Sequence, residues 1–154
     1  MIEIKKPSGS NIATLYKSSG LIDGYTQING LLNNPLVLIP GIVDKTIIPT
    51  TWCFSFPDSN FISDDEFYLI SSPTYNLNFV SSINALVCFR PIGAPIIIGG
   101  NIYSGFNDTT VSSTIPTEPN LNRGNNISLS QLSNGSSQWI GLIKWEIYYI
   151  LSNI

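Results

Sequence analysis

Two dense apolar runs separated by a short polar elbow dominate residues 34–56 (NPLVLIPGIVDKTIIPTTWCFSF). The runs cover residues 36–39 and 47–56, and most of their members are β-branched or aromatic. Such side chains fit the pleated, half-buried surface of a sheet, so the segment predicts a strand–turn–strand unit. Alternation from residue 46 onward gives the second strand one mainly apolar face, which carries Thr46, Ile48, Thr50, Trp52, Phe54 and Phe56.

Further strand-like segments follow between residues 67 and 98, separated by short polar turns. They recur about every 10 residues, which is the rhythm of an antiparallel sandwich or barrel. The apolar run at residues 95–98 stops at Gly99-Gly100-Asn101, which predicts a turn. The expected fold is all-β, an antiparallel β-sandwich of jelly-roll-like or Ig-like type with about 8 strands and little or no helix.

The last apolar segment, residues 138–151 (QWIGLIKWEIYYIL), predicts a long central strand. One parity is almost entirely apolar and carries Trp139, Ile143, Trp145, Ile147, Tyr149 and Leu151. A helix is the alternative, because Trp145, Tyr148 and Tyr149 could form a stripe at helical spacing. On the strand prediction, Trp52 and Phe54 are core anchors that face Trp139 and Trp145.

Residues 1–33 show the weakest pattern, with short strands expected at residues 2–5, 12–16 and 25–28 and a polar break at residues 18–20. Two interpretations stay open for this part. It is either an N-terminal arm that becomes ordered against a neighbour or a set of edge strands. The β-sandwich domain is expected to span residues 34–154.

The chain contains few charged residues, 11% against about 25% in a typical soluble domain. Low charge leaves little electrostatic protection against association, so we expect part of the surface to be buried against other chains. The net charge of −3, with dispersed cations, argues against nucleic-acid binding. Histidine is absent, which removes the usual general base and the commonest metal ligand. We therefore expect no enzymatic activity and no metal or cofactor.

Cys53 and Cys88 both lie in apolar, strand-like segments. Buried thiols that pack as small hydrophobic groups are the favoured interpretation, and a single disulfide between them is the alternative. Neither thiol has a histidine partner that could activate it as a nucleophile.

The densest group of carboxylates comprises Asp58, Asp64, Asp65 and Glu66. Its oxygens could bind Ca²⁺, or Asp64 or Glu66 could serve a glycan hydrolase. The group lacks the ordered spacing and the glycine of a dedicated calcium loop, so a solvated turn is the favoured interpretation.

A long polar segment without apolar periodicity covers residues 104–126. Loops of this length are usually binding loops or disordered. Tyr103, Phe106 and Asp108 stand near its start and form the candidate recognition loop, because aromatic rings stack on sugars or partner side chains. The alternative is that the two rings pin the loop to the sandwich.

No apolar run reaches the ~18–20 residues of a membrane helix, and no signal peptide is recognisable at the start. Synthesis in the cytoplasm without a signal peptide is therefore expected, with no membrane insertion.

The segment Asn-Pro-Leu-Val-Leu-Ile-Pro at residues 34–40, the motif Lys-x-Ile-Ile-Pro at residues 45–49 and the ending IGLIKWEIYYIL resemble small tailed-phage virion proteins. These are β-sandwich capsid decoration, head-fibre or tail-fibre components. The resemblance implies a non-enzymatic structural protein located in the virion, made in the host cytoplasm. It also implies a homo-oligomer, most commonly a trimer, that contacts other capsid or tail proteins. The alternative is a β-sandwich that binds carbohydrate, such as a host-surface glycan, or a receptor through residues 103–126.

Overall fold

The computed structural model describes residues 2–5, 11–23, 31, 34–57, 67–72, 85–91, 95–102, 121–131 and 142–153. These ranges contain nine strands and no helix. The strands are β1 (Ile2–Lys5), β2 (Asn11–Asp23), β3 (Leu36–Ile39), β4 (Thr46–Phe56), β5 (Phe67–Ser72), β6 (Ala85–Phe89), β7 (Ile96–Asn101), β8 (Asn126–Gln131) and β9 (Leu142–Ser152).

The strands form two sheets in which every pair is antiparallel. The five-stranded sheet has the order β1-β2-β9-β4-β7, and the four-stranded sheet has the order β3-β8-β5-β6. Sequence neighbours are often not sheet neighbours, since β9 lies between β2 and β4. The prediction of an all-β, two-sheet, sandwich-like fold is confirmed.

An aromatic cluster joins the two sheets. The Phe89 ring of β6 lies 5.1 Å from the Trp52 ring and 5.0 Å from the Phe54 ring, centroid to centroid, and both partners belong to β4. Phe67 of β5 stacks on Phe89 at 5.6 Å. Rings at these separations and angles gain attraction beyond the area they bury. The core of the molecule therefore lies between β4 and the β5–β6 pair.

The expected core anchors Trp52, Phe54 and Trp145 are all buried in this core. Phe54 and Trp145 lie directly opposite each other in the β4–β9 register. Trp139 lies outside the described residues.

The predicted alternation in β4 is wrong before residue 51, because the strand contains a bulge between Pro49 and Thr51. Ile47 is therefore buried in the core, whereas Ile48 is only half-buried. A bulge is where a sheet tolerates proline, which cannot donate to the ladder. The Thr50 hydroxyl donates to the Tyr148 carbonyl oxygen at 3.1 Å and holds the bulge against β9.

Residues 142–152 form a strand, so the alternative of a helix is wrong there. Ile143, Trp145 and Ile147 are buried on one parity, as the alternation predicts. Trp145 packs over Gly20 of β2, where an added Cβ would stand 2.9 Å from the indole Nε1. Only a glycine leaves room for the ring at this position.

The N-terminal strands belong to the five-stranded sheet. β2 extends from Asn11 to Asp23, through the serines and glycine at residues 18–20 where a break was expected. It lies between β1 and β9, and its Ile22 is buried in the core. The strand expected at residues 25–28 lies outside the described residues.

β7 continues through Gly99 and Gly100, where the sequence predicted a turn. Gly99 lies opposite Cys53 of β4, and a Cβ at Gly99 would come within 2.5 Å of the Trp52 carbonyl oxygen. The two strands therefore approach each other closely at this glycine. Glycine allows such an approach within sheets as well as forming turns.

The elbow between β3 and β4 docks on the turn that precedes β8. The Gly41 N–H donates to Asn126 Oδ1 at 2.7 Å, and the Gly124 N–H donates to the Lys45 carbonyl oxygen at 2.9 Å. Asp44 adopts a left-handed conformation with φ of 62°, which closes the elbow. Two distant parts of the chain are thereby fixed at one end of the sandwich.

The four-stranded sheet is buried on both of its faces. Phe67 and Leu69 point into the aromatic core, while Tyr68, Ile70 and Cys88 form a second buried cluster on the opposite face. Ser128 and Ser130 of β8 are also fully buried, and the Ser130 hydroxyl donates to the Leu31 carbonyl oxygen at 3.1 Å. The face that this fold leaves open belongs instead to the five-stranded sheet.

Candidate interaction surface

The outer face of the five-stranded sheet is formed by side chains from β2, β9, β4 and β7 that point away from the core. The strand registers align them in three rows: Leu21–Lys144–Ser55–Ile97, Ser19–Glu146–Cys53–Gly99 and Lys17–Tyr148–Thr51–Asn101. The charged side chains of these rows, Lys17, Lys144 and Glu146, all lie on β2 and β9, and the β4 and β7 members carry no charge. The outer face therefore has a charged half and an uncharged half.

The charged half is held together by contacts among three side chains. Lys17 Nζ lies 3.2 Å from Glu146 Oε2, and the Tyr148 hydroxyl donates to Glu146 Oε1 at 3.1 Å. Lys17 Nζ also lies over the Tyr148 ring, 5.9 Å from its centroid. Because the ion-paired side chains are about 41% exposed, water screens the pair and its stabilisation is small. The three side chains therefore bind one another across the outer face.

Cys53 lies in the middle row, directly opposite Glu146. Burial raises the pKa of the Cys53 thiol, and the negative charge of Glu146 raises that pKa further. Both effects disfavour the thiolate, which is the nucleophilic and metal-binding form of cysteine. At neutral pH, Cys53 is therefore a protonated thiol on this face.

The alternative of a disulfide between Cys53 and Cys88 is wrong, since Cys53 carries a free thiol. Cys53 belongs to the outer face of one sheet, and Cys88 to the buried second face of the other. The two sulfurs are thus on opposite sides of the sandwich.

The uncharged half of the outer face ends at β7. Within the described residues, β7 pairs with β4 alone and forms one edge of its sheet. Ile97, on the outer side of this edge, is 72% exposed. Residues 96–101 (IIIGGN) contain no charge and no proline, although sheet edges are commonly protected by one or the other. We call this strand border the β7 edge.

An open cleft lies where β7 begins. Its volume is about 570 Å³, and it is lined by Ser55, Phe56, Pro57, Pro95, Ile96 and Ile97. Most of this lining is apolar. The β7 edge and the cleft together form a continuous apolar feature at one side of the sandwich.

The site residues predicted from the sequence lie mostly outside the described residues. Tyr103, Phe106 and Asp108 of the candidate recognition loop, and the acidic group Asp58, Asp64, Asp65 and Glu66, lie outside the described residues. In the part of the chain that the structure describes, no three His, Cys, Asp or Glu side chains come together as a possible metal site. The same ranges hold no helix with the length and hydropathy of a membrane span.

Sequence reasoning missed the β7 edge. Its signal was visible as three consecutive isoleucines without a flanking charge. The two glycines concealed it, because Gly-Gly predicts a turn until β4 is known to approach so closely.

No protein-family model, no curated protein and no solved structure matches this chain.

Proposed function

We propose that this protein is a non-enzymatic structural subunit of a virus particle, and that it assembles with itself and with other virion proteins through its β-sandwich. The observation that carries the self-assembly is the β7 edge, where the described strands leave backbone groups unpaired beside an exposed isoleucine and no charge protects them. Edges of this type pair readily with strands from other chains. The assignment to a virus particle, such as a capsid decoration, head-fibre or tail-fibre protein, rests on the sequence resemblance.

The chemistry of the outer face supports a structural role. Glu146 accepts from Tyr148 and pairs with Lys17, so its carboxylate is occupied by neighbours. Cys53 is held in its protonated form by burial and by Glu146. Groups arranged in this manner stabilise a surface, whereas catalysis requires a nucleophile or base with a suitably shifted pKa and an open approach.

The low charge of the chain supports the same proposal. With 11% charged residues and a net charge of −3, copies of this protein repel one another only weakly. The exposed side chain of Ile97, at 72% exposure, adds apolar surface whose removal from water is favourable.

Self-assembly is tested by the mass of the full chain in solution, measured by light scattering during size-exclusion chromatography. We expect a mass that is a multiple of 16.9 kDa and that falls towards one chain on dilution. A mass of one chain at every concentration would contradict the proposal. A guanidinium-unfolded sample of the same protein supplies the one-chain reference.

A further inference from the structure

We propose that two copies of this chain pair through the β7 edge, antiparallel, about a two-fold axis at Gly99. The pairing rests on the proposed self-assembly, because it names the contact by which copies associate. It would continue the five-stranded sheet of one copy into that of the second.

The last hydrogen bond of the β4–β7 pair shows which backbone groups of β7 point away from β4. The Ile102 N–H donates to the Thr50 carbonyl oxygen at 2.9 Å, so the backbone of Ile102 points towards β4. Backbone groups alternate in direction along an antiparallel strand. The N–H and C=O groups of Ile97, Gly99 and Asn101 therefore point away from β4, along the edge.

A second copy of β7 is the occupant that these groups fit. Only an extended strand presents donors and acceptors at the matching spacing. A second β7 brings no charge and no proline to the contact, so neither repulsion nor a missing N–H opposes the pairing. A contact between identical surfaces must be self-complementary about a two-fold axis, and a strand paired antiparallel with itself satisfies that condition.

The register is set by the need to pair every outward-pointing group. With Gly99 opposite Gly99 of the second copy, Ile97 lies opposite Asn101, and the three residues of each strand give about six hydrogen bonds. Of the two neighbouring registers, one would place Asn101 opposite Pro95, which has no N–H to donate. The other would place Ile97 opposite residue 103, beyond the end of β7. The two-fold axis at Gly99 is therefore favoured.

Side-chain sizes agree with this register. On the core side of the strands, Ile98 of one copy lies opposite Gly100 of the second, in a narrow pair without direct hydrogen bonds. A bulky residue thus meets one without a side chain. The next such pair brings Ile102 of the second copy against Ile96, which lines the apolar cleft.

The first test places a charge on the edge. Ile97→Lys is expected to weaken self-association about tenfold or more, because a lysine at a sheet edge keeps its ammonium hydrated and opposes the approach of a second strand. Val43→Lys is the matched control, because Val43 is also β-branched and is 82% exposed in the β3–β4 elbow, away from β7. It should leave the solution mass unchanged. Cooperative thermal unfolding of each variant would show that both fold.

The second test reads the register directly and does not depend on weakening the contact. In a Cys53→Ser background, chains with Ile97→Cys are mixed with chains carrying Asn101→Cys and then oxidised. The proposed register places these two positions about 5.5 Å apart between Cα atoms, within reach of a disulfide. Position 97 of one copy would lie ~14 Å from position 97 of the second, which is too far. A covalent pair of chains should form in the mixture and not in either sample alone.

The outcomes separate this contact from self-assembly in general. A wild-type oligomer that loses mass in Ile97→Lys and forms the mixed disulfide supports the two-fold pairing. An oligomer whose mass is unchanged by Ile97→Lys, and which forms no mixed disulfide, overturns the pairing but not self-assembly. A closed trimer also overturns the pairing but not self-assembly, because a two-fold contact cannot close an odd-numbered ring. A wild-type mass of one chain overturns both.

Discussion

Replacing Phe89 with alanine is expected to lower the free energy of unfolding by about 3–5 kcal/mol. The ring is fully buried and contacts Trp52, Phe54 and Phe67, so its removal leaves a cavity between the two sheets. Part of the loss comes from the apolar area no longer buried, and part from the cavity that the surrounding rings cannot fill. Urea unfolding followed by tryptophan fluorescence measures the change.

Two control variants define the scale of the Phe89 effect. Phe89→Leu keeps most of the volume and is expected to cost about 1–1.5 kcal/mol. Val43→Ala removes an exposed side chain in the elbow and should stay within about 0.5 kcal/mol of the wild type. If Phe89→Ala also stayed within this range, the aromatic cluster would not be what joins the sheets.

Gly41→Ala is expected to destabilise the protein by about 1–3 kcal/mol. An added Cβ would come within 1.9 Å of the Gly124 carbonyl oxygen, so the elbow must move away from the turn before β8. That movement also weakens the bond from the Gly41 N–H to Asn126 Oδ1. The change in urea midpoint at constant slope gives the loss.

Gly124→Ala is the matched control, because it places a side chain on a glycine where the backbone is strained but no collision results. Gly124 has a φ of +75°, but an added Cβ there meets nothing within 4 Å. Its expected cost is therefore only the left-handed penalty of about 1 kcal/mol. Gly124→Asn should recover part of it, because asparagine tolerates this conformation. A Gly41→Ala variant as stable as the wild type would show that the elbow does not dock as described.

The strands with strong β-branched and aromatic alternation were predictable from the sequence. The first half of β9 and the second half of β4 follow their apolar parity from residue to residue, because each side of these strands faces a different environment there. The predicted alternation was wrong where the burial of a residue depends on pairing with another strand. The bulge at Thr50 shifts the parity of Ile47 and Ile48, and it depends on pairing with Tyr148, almost a hundred positions away in the chain.

The glycine positions also depend on contacts with distant parts of the chain, which a local pattern does not show. Gly20, Gly41 and Gly99 all stand where a neighbour comes too close for a Cβ, and each neighbour is remote in sequence. Local patterns therefore suggested breaks at residues 18–20 and 99–101, although both stretches are strand. The β7 edge was missed for this reason, since a strand that ends at Ile98 leaves too short an edge to pair with another chain.

The central proposal, that this chain is a structural component of a virus particle, is tested most directly on purified particles of any virus whose genome encodes this sequence. Quantitative mass spectrometry of density-gradient fractions would compare the amount of this chain with that of the major capsid protein across the particle peak. The proposal predicts that this chain follows the capsid protein through the gradient at a constant ratio and remains after a high-salt wash. Absence from the particle peak, with the chain present in the lysate of infected cells, would contradict it.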